Sequence, residues 1–176
     1  LELKFNGFPS DELSLENVQI IKSCENRTLF IIDPAEHIVE WLEHSLGPAA
    51  EVLSWSHPRF QHQASLAIRF GKKLIVKEAD GVPLCLIPYL AKEFVLSNGH
   101  LTVSVGDKFI DVHPEFRLII VTRNSSIQLS PREQSLVTTI NFTVTRTALR
   151  MQLLTLALST EAPEIEQQHQ EQLNES

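Results

Sequence analysis

The chain has 176 residues, 43% of them hydrophobic, which is enough for one α/β domain with its own core. The formal net charge of −7 and the lack of a basic cluster argue against a nucleic-acid partner. No apolar run approaches the ~20 residues that span a bilayer, which argues against a membrane partner. The two cysteines, Cys24 and Cys85, fit a reducing cytoplasm better than a disulfide framework.

The first predicted element is a helix over residues 11–24. Ser14 is its predicted N-cap, and apolar residues recur at helical spacing along one side. This side is expected to be buried and comprises Leu15, Val18, Ile20 and Ile21.

The next segment, residues 29–32, reads Leu-Phe-Ile-Ile, which is too short for a helix and has no polar alternation. It therefore predicts a strand buried on both faces, as found in parallel sheets. Asp33 is the predicted N-cap of the helix that follows, and Pro34 is its predicted first residue. Gly47 and Pro48 mark the predicted end of this helix.

The hydrophobic period changes in the second half of the chain. Residues 101–105 alternate strictly between apolar and polar side chains, Gly106 and Asp107 form a turn, and residues 109–112 return. This pattern predicts a β-hairpin inserted into an α/β chain.

Five predicted strands alternate with helices, which favours a parallel sheet with helices on both faces. The predicted strands are residues 29–32, 51–55, 73–77, 116–122 and 137–144. One helix is predicted over residues 58–70 and a short one after Pro131. A long helix is predicted with Thr145 as its cap, and it carries Leu149, Leu153, Leu156 and Ala157.

The composition changes after Pro163 to Glu, Gln, His and Asn, which predicts a solvated helix at the start of a coiled coil. We therefore divide the chain into a domain of residues 1–162 and a coiled-coil start at residues 163–176. Because the single methionine is Met151, we expect the chain to be a piece of a longer protein.

The turn after residues 29–32 has the position of a phosphate-binding loop without its chemistry. P-loop enzymes hold phosphate on a glycine-rich loop and a helix N-terminus. Here residues 33–37 contain no Gly, Lys, Ser or Thr, and Asp33 and Glu36 lie where the phosphates would be. Two carboxylates would repel a polyphosphate and would themselves satisfy the helix dipole. We therefore predict a nucleotide-binding fold that has lost its nucleotide.

Further polar residues follow two other predicted strands. Glu78 and Asp80 lie where a P-loop enzyme keeps its magnesium-binding carboxylates, although a solvated loop is the simpler interpretation. Arg123 and Asn124 lie where a γ-phosphate could be sensed. Without a phosphate, we expect Arg123 to pair with Asp33 or with one of the two acids after the third strand.

The remaining polar residues show no catalytic or metal-binding pattern. The seven histidines are scattered at spacings that do not suit zinc, and no Ser or Cys lies in a nucleophile-elbow context. We therefore expect no catalytic residue and no metal site in this chain.

Several segments resemble dynein heavy chains in order and spacing. They are residues 8–17, Ile31-Ile32-Asp33-Pro34, residues 67–72, Val105-Gly106-Asp107-Lys108 and residues 141–145. The resemblance covers about residues 8–166 and is to the fifth AAA+ module of the motor ring, just after the microtubule-binding stalk. Details at residues 22–24, 78–82 and 116–124 resemble the second cytoplasmic class, which drives retrograde intraflagellar transport in cilia.

This resemblance implies an AAA+ or P-loop-NTPase-like three-layer sandwich in a minus-end-directed microtubule motor. It implies no cofactor in this module, with ATP and magnesium bound by other modules of the parent chain. The implied partners are the neighbouring AAA+ modules, the stalk coiled coil through a buttress that begins after Pro163, and the microtubule. The implied location is the cytoplasmic cytoskeleton and the cilium.

One departure from the family concerns the same turn. Ala35, Glu36 and His37 stand where a glycine and small polar residues are usual, which makes nucleotide binding still less expected.

The favoured hypothesis for the function of the chain is a non-hydrolysing structural module that transmits conformational change. The alternatives are a nucleotide-binding ATPase module and a stand-alone interaction domain that uses the hairpin at residues 101–112.

Overall fold

The computed structural model describes residues 12–24, 27–143, 149–150, 153–154 and 157. The chain divides into two compact units, residues 1–143 and residues 144–176. In the second unit, Leu149, Leu153 and Ala157 are helical, as predicted. The predicted cap at Thr145 and the predicted coiled coil at residues 163–176 lie outside the described residues.

The first unit contains helices and strands in alternation. The helices are α1 (Glu12–Ser23), α2 (His37–Leu46), α3 (Phe60–Phe70), α4 (Ile87–Leu90) and α5 (Pro131–Leu136), with 3-10 turns at Gly47–Ala49 and Leu84–Leu86. The strands are β1 (Leu29–Ile32), β2 (Ala50–Ser54), β3 (Lys73–Lys77), β4 (Val95–Ser97), β5 (His100–Val105), β6 (Lys108–Asp111), β7 (Arg117–Thr122) and β8 (Thr138–Asn141).

Five strands form the predicted parallel sheet, in the order β2-β3-β7-β1-β8. The chain leaves β1 through α2 toward β2, and it leaves the neighbouring β7 through α5 toward β8. Because these two connections run in opposite directions, a crevice is expected at the carboxyl ends of β1 and β7. The predicted site residues follow β1, β3 and β7, so this edge is where they come together.

The sheet is covered on both faces, as its uninterrupted apolar strands predict. Phe30 and Ile32 belong to one buried cluster together with residues of α3. Leu29 and Ile31 belong to a second cluster with residues of α1 and α2. Successive side chains of a strand point to opposite faces, so β1 contributes to both clusters. The three-layer α/β architecture is therefore confirmed.

The predicted hairpin is present as β5 and β6, but β4 adds a third antiparallel strand to it. β4 has only three residues, so it carries too little periodicity to be recognised in the sequence. The small sheet is fastened to α3, because Gln61 donates from Nε2 to the Val105 carbonyl at 3.2 Å and lies against Gly106.

Two details of α1 differ from the prediction. The helix begins at Glu12, so Ser14 lies within its first turn and is not the N-cap. Val18 and Ile21 are buried as predicted, whereas Ile20 is 40% exposed. The buried side of α1 is therefore narrower than the row of apolar residues in its sequence.

Among the described residues, no helix combines the length and apolar character needed to cross a bilayer.

Candidate functional site

The turn between β1 and α2 is organised by the carboxylate of Asp33, which is only 3% exposed. Its Oδ1 accepts a hydrogen bond from the Ala35 amide at 3.1 Å, and its Oδ2 accepts one from the Ile38 amide at 2.8 Å. Ile38 is in the first turn of α2, where backbone amides have no partner within the helix. The prediction that Asp33 is the N-cap is therefore wrong in position, because Glu36 is the N-cap residue, but the Asp33 side chain still accepts from an amide of the first turn.

The prediction that Pro34 opens the helix is wrong. Pro34 and Ala35 form a turn, and α2 begins at His37. The bond from the Ala35 amide to the Asp33 side chain folds these residues into an Asx-type turn. Glu36 then adopts a left-handed conformation, with φ of 59°, so the regular helix can start only after it.

This geometry places a carboxylate against the backbone amides at the N-terminus of α2. A phosphate at a helix N-terminus is bound by backbone amides of the loop and the first turn. The amides of Ala35 and Ile38 already donate to Asp33, and the Glu36 carboxylate adds a second negative charge to the same turn. The turn therefore supplies its own negative charge to the helix dipole, and the Ala35 and Ile38 amides already have an acceptor.

Arg123 pairs with Glu36, and not with Asp33, Glu78 or Asp80 as expected from the sequence. Its Nε lies 3.5 Å from Glu36 Oε1 across the carboxyl ends of β7 and β1. The two oxygens of Asp33 accept instead from the backbone amides of Ala35 and Ile38. The side chains of Arg123 and Glu36 are 58% and 40% exposed, so water screens the pair.

We expect this exposed ion pair to contribute little to stability. The Arg123→Ala and Glu36→Ala variants, and the double variant, should show a coupling energy below about 0.5 kcal/mol. Urea unfolding of the four proteins measures this coupling. A coupling above about 2 kcal/mol would show that the pair is desolvated and would contradict the exposed geometry.

The two acids after β3 are not arranged as a metal site. Glu78 is left-handed, with φ of 57°, and its Oε2 accepts from the Ser54 hydroxyl at 2.8 Å. Asp80 is exposed, while the buried Ala79 between them donates its amide to the Val121 carbonyl. Within the described part of the chain, no group of three His, Cys, Asp or Glu residues could hold a metal ion.

Asn124 shapes the loop that follows β7. Its side-chain Oδ1 accepts from the Ser126 backbone amide at 3.0 Å, and its backbone amide donates to Thr122 Oγ1 at 3.2 Å. The side chain oxygen is therefore used within the loop. Of the predicted site residues, the structure joins Arg123 to Glu36. Asp33 and Asn124 have partners within their own loops, and Glu78 pairs with Ser54 at the end of β2.

The sequence indicated Glu36 as a site residue but not as the partner of Arg123, and it gave no indication of Ser54. Both lie at carboxyl ends of parallel strands or in the turn after one, at the same edge as Arg123 and Glu78. That position was the available signal, but the sequence does not show which side chain reaches which.

The comparisons with known proteins agree with this architecture. The family described as "ATP-binding dynein motor region" matches residues 1–176. Human cytoplasmic dynein 2 heavy chain 1 is 42% identical over 167 residues, 94% of this chain. The Chlamydomonas reinhardtii protein of the same name is 41% identical over 171 residues, and the Caenorhabditis elegans protein named "Dynein heavy chain, cytoplasmic" is 32% identical over 174 residues.

This chain spans only 4% of the length of each of these three relatives, while they cover 94%, 96% and 98% of it. The family match extends over all of the sequence that forms the parallel sheet. The chain belongs to the dynein heavy-chain family, as a fragment of the motor region.

Proposed function

We propose that this fragment is a structural AAA+ module that does not hydrolyse ATP. The observation that carries the proposal is the Asp33 carboxylate, which accepts from the Ala35 and Ile38 amides where a phosphate would be bound. The absence of glycine, lysine and hydroxyl side chains from residues 33–37 supports it. We assign it to the fifth module of the ring because of the segment order that resembles that module.

In the parent chain, the module would transmit conformational change between neighbouring AAA+ modules and the stalk, through a buttress that begins after Pro163. The parent would be a minus-end-directed microtubule motor that takes its energy from ATP and magnesium bound by other modules. The named relatives that are cytoplasmic dynein 2 heavy chains support a cytoplasmic, cytoskeletal and ciliary location. Neither nucleic acid nor membrane is a proposed partner.

A nucleotide-binding ATPase module is the second candidate, and the description of the family as ATP-binding favours it. The carboxyl ends of β1 and β7 are where this fold class binds ligands. To bind there, a phosphate would have to displace the Asp33 carboxylate from the Ala35 and Ile38 amides. It would also lie beside the negative charges of Asp33 and Glu36.

Calorimetric titration with Mg·ATP and Mg·ADP separates these candidates. We expect no saturable heat, because the amide donors of the turn are already bonded and Asp33 and Glu36 repel the phosphates. An ATP-binding module of the same heavy chain, titrated under the same conditions, is the positive control. Saturable binding at micromolar nucleotide would favour the ATPase candidate.

A further inference from the structure

A cavity of about 430 Å³ opens beside the ends of β2 and β3. None of residues 33–37 lines it, and neither does Arg123, so it is separate from the turn described above. Its wall combines aromatic rings with carboxylates, and no Lys, Arg or His is among the described residues that line it. The cavity is therefore both aromatic and acidic.

The aromatic part of the wall is formed by Trp55 and Phe60. Their ring centroids are 6.2 Å apart and their planes are inclined by 50°. Trp55 follows β2 and donates its amide to the Lys77 carbonyl, and Phe60 is the first residue of α3. Because both rings are carried by the ends of regular elements and are half-buried, they form a fixed apolar surface.

The acidic part of the wall is formed by Glu133 and Asp80. Glu133 is held in a capping box, where its Oε2 accepts from the Ser130 amide at 2.8 Å and from the Ser130 hydroxyl at 2.6 Å. These hydrogen bonds lower the pKa of Glu133, so it is ionised at neutral pH. Its Oε1 faces Gly81, and Asp80 is exposed at the mouth.

The cavity is bordered by Leu84, which is 80% exposed although it is a large apolar residue. A surface leucine next to an aromatic cavity is suited to contact with an apolar residue of a bound segment. The cavity therefore presents aromatic faces, two carboxylates and an apolar rim to one incoming chain.

We propose that this cavity binds an arginine side chain from another segment of the same heavy chain. A guanidinium stacks on aromatic rings and bonds carboxylates with its planar fork, which suits this wall better than a lysine ammonium. The relatives are about 25 times longer than this chain, so the heavy chain has ample sequence outside it to supply the segment. The inference rests on the proposed role of the chain as one module among others.

The test uses the full heavy chain with the photo-crosslinking amino acid p-benzoylphenylalanine in place of Leu84. After irradiation and proteolysis, mass spectrometry identifies the crosslinked peptide. We expect a peptide of the heavy chain itself, with an arginine within about one helical turn of the crosslinked residue. The Asp80→Asn, Glu133→Gln double variant should reduce the yield about five-fold, because two partners of the guanidinium lose their charge.

The Asp107→Asn variant is the matched control, because Asp107 is an exposed acid in the β5–β6 turn and does not line the cavity. It should leave the crosslinking yield unchanged. A crosslink to another protein, a peptide without arginine, no crosslink, or a yield unaffected by the double variant would each overturn the proposal. These failures are distinguishable from failure of the proposed function, which the nucleotide titration decides independently.

Discussion

Replacing Gly71 by alanine is expected to lower the free energy of unfolding by about 3 kcal/mol. Gly71 ends α3 in a left-handed conformation, with φ of 68° and ψ of 30°. An added Cβ would overlap the imidazole ring of His113. This ring cannot move away freely, because the His113 amide donates to the Ile68 carbonyl and its Nδ1 accepts from the Glu115 amide. Urea unfolding measures the loss.

The matched control is Gly99→Ala. Gly99 also has a positive φ, of 84°, but an added Cβ there meets no atom within 4 Å among the described residues. We expect a loss of about 1 kcal/mol, which is the backbone cost alone. The difference between the two variants measures the clash with His113. Equal losses would show that the imidazole ring moves aside without cost.

Replacing Asp33 by alanine is expected to lower the free energy of unfolding by about 2–3 kcal/mol. The variant leaves the Ala35 and Ile38 amides without the acceptor that the wild-type side chain provides, and Ile38 is fully buried. Asp33→Asn keeps one amide oxygen as an acceptor and should cost about half as much. Thermal and urea unfolding both measure these changes.

Asp80→Ala is the control for charge at the same edge of the sheet. Asp80 is exposed, so its removal should change stability by less than about 0.5 kcal/mol. If Asp33→Ala costs no more than Asp80→Ala, the carboxylate of Asp33 does not hold the turn. The structural argument against nucleotide binding would then lose its main support.

The parallel sheet was predictable because each strand is indicated by the residues of its own short segment. β1 and β3 were predicted with the bounds that the structure shows, since each is a short apolar run between turn residues. The start of α5 was also predictable from Pro131, and the structure adds the capping box of Ser130 and Glu133 in front of it. Such signals depend on a few neighbouring residues, so they can be recognised without knowledge of the tertiary structure.

The candidate site was predictable only in part. The sequence indicated which residues follow the strands, and parallel strands bring those residues to one edge. It did not indicate that Arg123 reaches Glu36, because that depends on the left-handed conformation of Glu36 and on the neighbouring positions of β1 and β7. Which side chains pair across strands depends on distances in space, and the spacing of residues along the sequence does not give these distances.

The sequence by itself determined the fold class, the buried strands and the missing phosphate-binding residues of this chain. Each of these follows from local composition and period. The tertiary structure alone decided that the Asp33 carboxylate accepts from the Ile38 amide, that β4 completes the small sheet, and that Trp55 and Glu133 share a cavity. Trp55 follows β2 and Glu133 lies in α5, far apart in the chain, so only the tertiary structure brings them to one cavity.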